Sequence, residues 1–210
     1  MMRVRDVFEI PDDGWCRQAR QVPSPNCDAR PEGAAIDLLV IHNISLPPGQ
    51  FGGDAIVELF CNTLDCDAHP YFDRLRALKV SAHFLIRRDG GLLQFVSANE
   101  RAWHAGVSNF DGRERCNDFS IGIELEGTDF EPFTEVQYTC LAKLTKALVQ
   151  RYLLKAVAGH EHIAPVRKTD PGPFFDWARY RALLADVLPE RGLHFPATFE
   201  MGAIPDRKPV

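Results

Sequence analysis

No apolar run in this 210-residue chain approaches the roughly 20 residues needed to cross a bilayer. Its first residues, Met1 to Ile10, carry charges where a signal peptide has roughly 7 to 15 apolar ones. A soluble cytoplasmic protein is the expectation. Positive charge is not in surplus: 24 Lys and Arg stand against 29 Asp and Glu, a net −5, which argues against general binding to nucleic acid or an anionic membrane. The six cysteines, at 16, 27, 61, 66, 116 and 140, form no CxxC pair and no dense framework, so free thiols are expected. Cys61 and Cys66 lack a second Cys or His pair at matching spacing, which leaves a metal site there without support. G-x-G-x-x-G, Walker A and G-x-S-x-G are absent, and so is H-E-x-x-H, which removes the dinucleotide, nucleotide, serine-hydrolase and commonest zinc-protease patterns. Cys61 or Cys116 as a thiol nucleophile has no local feature in its favour.

With 45% hydrophobic residues the chain can bury one sizeable core, and a single decorated domain is expected. Prolines and glycines scattered over 11–33 mark 1–33 as an irregular arm packed on the core. The domain proper should run over 34–188, with a tail over 189–210. Ile36 to Ile41 reads as a central strand buried on both faces. Short helices are expected near 54–60 and 71–78, after a Pro- and Gly-rich start; the whole stretch 46–79 is a candidate lid. Ala82–Arg87 and Leu92–Val96 flank an Asp-Gly step, a hairpin signal. Phe119 to Glu126 is a further strand, with Ile121, Ile123 and Leu125 on one face and Gly122, Glu124 and Glu126 on the other. Thr134 and Gln137 make a capping box for a long helix over 135–153. A last helix is expected after the N-cap candidate Asp176, with Trp177, Tyr180, Leu184 and Leu188 on its inner face. Strands mixed with helices make this an α/β domain, with a central mixed β-sheet flanked by helices.

Seven histidines are available, and two of them sit where strands should end. His42 closes the run Asp37 to His42, at the sheet edge where α/β proteins place ligands. His160 follows the short apolar segment Ala156 to Gly159, and Asp170 lies ten residues on. Two imidazoles and a carboxylate leave a Zn²⁺ ion one open position, the arrangement a hydrolytic metal needs. His162 is an alternative ligand, although at i and i+2 it cannot share a helix face with His160. Lys168 and Asp170 should point the same way, the segment being biased toward extended structure by Pro171. Amide cleavage also needs a base for water, an acid for the departing amine and a stabiliser of the oxyanion. Glu124 suits the first two and Lys168 the third, the bland alternative being a solvated cluster of Arg167, Lys168 and Asp170. Glu126 shares the face of Glu124, and a glycosidase using this pair is a competing reading that leaves His42, His160 and Asp170 without a purpose.

Over about Gly14 to Tyr180 the chain resembles the N-acetylmuramoyl-L-alanine amidases of the amidase-2 and peptidoglycan-recognition-protein fold, in the branch that takes 1,6-anhydro muropeptides. The resemblance rests on Arg20–Asn26, Val40–Gly49, Val80–His83, Arg101–Ser108, Gly112–Thr128 and Arg167–Pro173. It implies that His42, His160 and Asp170 hold one Zn²⁺ per chain, that Glu124 is the catalytic acid/base and that Lys168 stabilises the transition state. It also implies that Asn43, Trp103 and Arg115 line the muropeptide groove. Arg115 is chemically apt for peptide carboxylates and Trp103 for a sugar or peptide face. The implied reaction cuts the amide between the lactyl group of anhydro-N-acetylmuramic acid and L-Ala during cytoplasmic peptidoglycan recycling, and a monomer is expected. A binding-only recognition module on the same fold is the alternative, but such modules lack a full ligand set.

Overall fold

The computed structural model describes residues 7–186 and 192–196. In chain order the elements are β1 (Arg20–Gln21), β2 (Cys27–Asp28), β3 (Leu38–Ile44), α1 (Ala55–Phe60), β4 (Phe84–Ile86), β5 (Leu92–Gln94), β6 (Arg101–Ala102), β7 (Asn109–Phe110), β8 (Arg113–Glu114), β9 (Ser120–Glu126), α2 (Glu135–Arg151), β10 (Ala156–Gly159), α3 (His160–Ile163) and α4 (Trp177–Leu183). Six strands form one mixed sheet in the order β1-β5-β4-β9-β3-β10. Only the β4–β5 hairpin is antiparallel; β10, β3, β9 and β4 run parallel to one another, as does β1 to β5.

Burial explains why β3 and β9 read as unbroken apolar runs, since both faces of the sheet are covered. Side chains alternate across a strand. Leu39 and Ile41 of β3, with Ile121, Ile123 and Leu125 of β9, therefore pack under α2 and α4, against Leu141, Leu144, Leu148 and Tyr180. Leu38 and Val40 face the other way, into a smaller cluster with Ala105, Cys116 and Ile163. The capping box holds the start of α2: Thr134 Oγ1 accepts from Gln137 N at 3.2 Å and Gln137 Oε1 accepts from Thr134 N at 3.0 Å. The Gln137 amide also donates to the carbonyls of Ile86 and Glu126, so the cap ties the helix to β4 and β9. Asp176 caps α4 by accepting from Arg179 N.

Several expectations need correction. The arm is not wholly irregular: Arg20–Gln21 adds the outermost strand beside β5, and Cys27–Asp28 pairs with β6. Strands of two residues have no hydrophobic period, so their partners are set by tertiary contact alone. Arg30 fixes the arm from within, its buried guanidinium donating to the carbonyls of Ala98, Asn117, Asp118 and Ser120. Burial pushes that guanidinium down to about 10. The second short helix is a 3₁₀ turn over Pro70–Leu75, opened by His69, whose Nδ1 accepts from Tyr71 N. After Gly159 the chain enters α3 at once. Leu188 lies outside the described residues, as does most of 189–210. His194 bridges to Ala156 in parallel, at the β10 edge of the sheet. The six cysteines are all free. Among the described residues no helix is long and apolar enough to cross a membrane.

Candidate active site

Three strands deliver the central side chains to one sheet edge. His42 has the parity of Leu38 and Val40 and stands in register with Glu124 on the neighbouring strand β9. Both point away from the α2 face. The third strand, β10, ends at Gly159, so that His160 opens α3 beside them. Gly159 is required by a close approach: a Cβ there would sit 2.6 Å from Pro171 Cδ and 2.9 Å from His162 Nδ1. The bare backbone lets the 170–171 turn lie against the strand end, and Glu161 N donates to the Asp170 carbonyl to hold it there.

His42 Nδ1 stands 2.9 Å from Asp170 Oδ2 and 3.0 Å from His160 Nδ1, and His160 Nδ1 is 3.1 Å from the same carboxylate oxygen. Bonds of about 2.0 Å to a tetrahedral Zn²⁺ would set its donors roughly 3.3 Å apart, so the triangle is close to the right size. The chemistry of the donors agrees. His160 Nε2 lies 3.0 Å from the Ala105 carbonyl, which can only accept, so a neutral His160 carries its proton on Nε2. Its Nδ1 lone pair then faces the Asp170 carboxylate, two acceptors that a cation between them would reconcile. Burial pushes the Asp170 carboxyl up, but the imidazoles of His160 and His42 that face it outweigh this and hold the group below the usual carboxylate range. Burial holds His42 down at about 4, in its neutral, metal-binding form.

Beside this triangle lies a cavity of about 450 Å³, lined among others by Glu124, Lys168, Trp103 and Asn43. Glu124 is buried, and its Oε2 has no hydrogen-bond partner among the described residues. Burial first, then the charge of Asp170, raises this carboxyl well above its ordinary value, while the Lys168 ammonium opposes the rise. Lys168 and Asp170 both line the cavity, with Lys168 and Thr169 in irregular chain between the turns at 165–167 and 170–171. Glu126 has a different fate: it accepts from Arg87 Nη1 at 2.9 Å, Gly52 N at 2.8 Å and Arg88 N at 3.0 Å. That carboxylate is engaged in holding the 46–53 loop and the hairpin.

The other expected residues divide. Asn43 donates to Asp129 Oδ1 and to the Pro171 carbonyl, tying β3 to the Asp170 turn from the cavity wall. Trp103 lines the same cavity. Arg115 does not: its exposed side chain pairs with Asp118 at 3.2 Å and borders a neighbouring hollow, which shares Gly106 and Arg167 with the cavity. His162 is turned toward the chain start of α3, its Nδ1 accepting from Gly159 N at 2.8 Å, and so stands outside the triangle. The candidate lid supplies one wall of the cavity through Leu46, Leu75 and Leu78.

Sequence reasoning missed His104 and Arg167. His104 Nδ1 stands 2.9 Å from His42 Nε2, and Arg167 donates to the carbonyls of Ala105 and Val107. The available signal for His104 was Gly122, a glycine inside an apolar strand, which marks a close approach. A Cβ at Gly122 would lie 2.4 Å from His104 Cγ.

The Amidase_2 family, described as N-acetylmuramoyl-L-alanine amidase, matches residues 32–173. The 1,6-anhydro-N-acetylmuramyl-L-alanine amidase AmpD of Salmonella typhimurium (strain SL1344) is 59% identical over 178 residues, which cover 84% of this chain and 95% of that protein. A crystal structure of an AmpD selenomethionine derivative superposes with a TM-score of 0.80 at 59% identity, over 82% of this chain and 98% of that one. The Escherichia coli amidase AmiD, solved in complex with the substrate anhydro-N-acetylmuramic acid-L-Ala-D-gamma-Glu-L-Lys, aligns at TM-score 0.53 and 29% identity, over 84% of this chain and 65% of AmiD.

Proposed function

This chain belongs to the N-acetylmuramoyl-L-alanine amidase family, and on that premise we propose that it is a zinc-dependent hydrolase of anhydro-muropeptides. It cuts the amide between the lactyl group of 1,6-anhydro-N-acetylmuramic acid and the L-alanine of the stem peptide, as a cytoplasmic monomer in peptidoglycan recycling. The amidase domain spans 34–188, with 1–33 as an arm over the core and 189–210 as a tail. The observation that carries the reading is the convergence of His42 Nδ1, His160 Nδ1 and Asp170 Oδ2 beside the buried Glu124, whose Oε2 has no hydrogen-bond partner among the described residues.

His42, His160 and Asp170 would hold the Zn²⁺, which when bound would supply a Lewis acid able to polarise the amide carbonyl and acidify water. Glu124, in register with His42, takes the proton of the attacking water and passes it to the nitrogen of the departing L-alanine. Its raised pKa suits that shuttle, because an acid/base works best when its pKa lies near the working pH. Lys168, a fixed cation on the cavity wall, stabilises the oxyanion as charge builds on the carbonyl oxygen. Trp103 offers a flat apolar surface to the sugar or peptide, and Asn43 shapes the wall beside the metal. Arg115 stands further out, where a carboxylate of the stem peptide is its partner.

Mass spectrometry of an anhydro-disaccharide muropeptide after incubation tests this. Free stem peptide and an intact anhydro-muramyl sugar are expected. Cleavage between the two sugars, with the peptide still attached, would overturn the assignment in favour of a glycosidase.

A further inference from the structure

The proton of His42 can be located, because the contacts that run from its Nε2 through His104 and Ser120 end at a backbone carbonyl. Ser120 Oγ donates to the Cys116 carbonyl at 2.6 Å. Its hydroxyl proton is thereby committed, and toward His104 Nε2, 3.2 Å away, the oxygen can only accept. The proton of a neutral His104 is on Nε2, its Nδ1 is bare, and the proton facing it across 2.9 Å belongs to His42 Nε2. His42 is left with a bare Nδ1, the atom that points at Asp170 and His160.

We propose that His104 is a positioning residue of the metal centre, holding His42 in the tautomer whose Nδ1 lone pair is free for the ion. The inference rests on the zinc reading given above. It joins His42 to the device already seen at His160, where the Ala105 carbonyl takes the Nε2 proton. Adjacent residues of one short segment thus orient both imidazole ligands. The segment is itself pinned: Asn117 Oδ1 accepts from His104 N at 3.1 Å and from Ala105 N at 2.8 Å, and Arg167 donates to the Ala105 carbonyl at 2.8 Å. Gly122 completes the arrangement by leaving room for the imidazole over β9, since any side chain there would collide with it. Partners of this kind to metal-bound histidines are commonly worth about 10- to 100-fold in metal affinity.

The test combines zinc binding with the ring protons of the loaded protein. Competition titration should give a zinc Kd about 10- to 100-fold weaker for His104→Phe, which keeps a buried ring but removes the acceptor. Gly122→Ala, which displaces the ring without deleting it, should weaken binding in the same direction. His104→Asn, whose amide oxygen can take the place of Nδ1, should recover most of the loss. Long-range ¹H–¹⁵N spectra of the wild-type zinc form should put the His42 proton on Nε2 and leave His104 Nδ1 unprotonated. The proposal is overturned by a His104→Phe Kd within about threefold of wild type, by failure of His104→Asn to improve on it, or by a His42 proton on Nδ1. If His104→Phe does not fold, the wild-type spectrum decides alone. A wild-type protein that takes up no zinc would sink the metal reading itself, whereas zinc binding untouched by the variants sinks only the role of His104.

Discussion

Glu124 and His42 face each other across the parallel β3–β9 pair, in register and on the same side of the sheet. Two residues along β9, Glu126 is in register with Ile44 and is bonded to Arg87, Gly52 and Arg88. One strand therefore presents one carboxyl to the cavity and commits the other to the fold, and on the proposed reading the two should be separable by experiment. Glu124→Ala should keep its metal and its melting temperature while the rate falls roughly 10²- to 10⁴-fold, the usual range for loss of an acid/base. Glu126→Ala should instead lose stability, by about 3–5 kcal/mol for one member of a buried ion pair. Unfolding curves and turnover on both variants check this; an inactive, stable Glu126→Ala would exchange the roles.

Gly159→Ala isolates the placement of Asp170. The backbone at this glycine, with φ −86°, is open to any residue, so the only obstacle is the contact of the new Cβ with Pro171 and His162. The turn must move away from the strand end and carry Asp170 with it. Weaker zinc binding with little change in secondary structure is expected, read by titration and circular dichroism. Affinity within twofold of wild type would show that the close approach does not set the ligand geometry.

Stability should fall on the alkaline side. Burial pushes the Cys140 thiol from 9.0 to about 12 and the Tyr138 hydroxyl from 10.0 to about 12. Both groups hold their protons more tightly folded than unfolded. Their contribution is complete below about pH 9 and is lost progressively as the pH rises toward 12. Melting temperature measured from pH 8 to 11 should drop, and drop less steeply in Cys140→Ala. An unchanged slope in that variant would remove the thiol from the account.

How far the sequence revealed this arrangement depended on period and range. β3, β9 and α2 were legible because long buried elements impose a repeat on the chain, and Thr134 with Gln137 marked the helix start by its own chemistry. Once β9 was recognised, alternation alone put Glu124 and Glu126 on one face; what told them apart was Arg87, from a hairpin almost forty residues earlier. His42, His160 and Asp170 stood out because strand ends and a segment constrained by Pro171 are local signals. His104 did not, since it lies in irregular chain and its importance depends on Gly122, Ser120 and His42, none of which is its neighbour in sequence. Arg115 matched a motif, yet its side chain turns outward to Asp118. Motif membership says that a residue recurs, and the local backbone decides where it points.

The central claim is that His42, His160 and Asp170 hold the ion on which amide cleavage depends. The most direct measurement is the zinc content per chain of the purified wild type and of Asp170→Ala, taken together with release of stem peptide. One zinc per wild-type chain is expected, with both metal and turnover lost in the variant and turnover abolished in the wild type by chelation and restored by Zn²⁺. Full zinc occupancy in Asp170→Ala, or undiminished peptide release from the metal-free wild type, would contradict it.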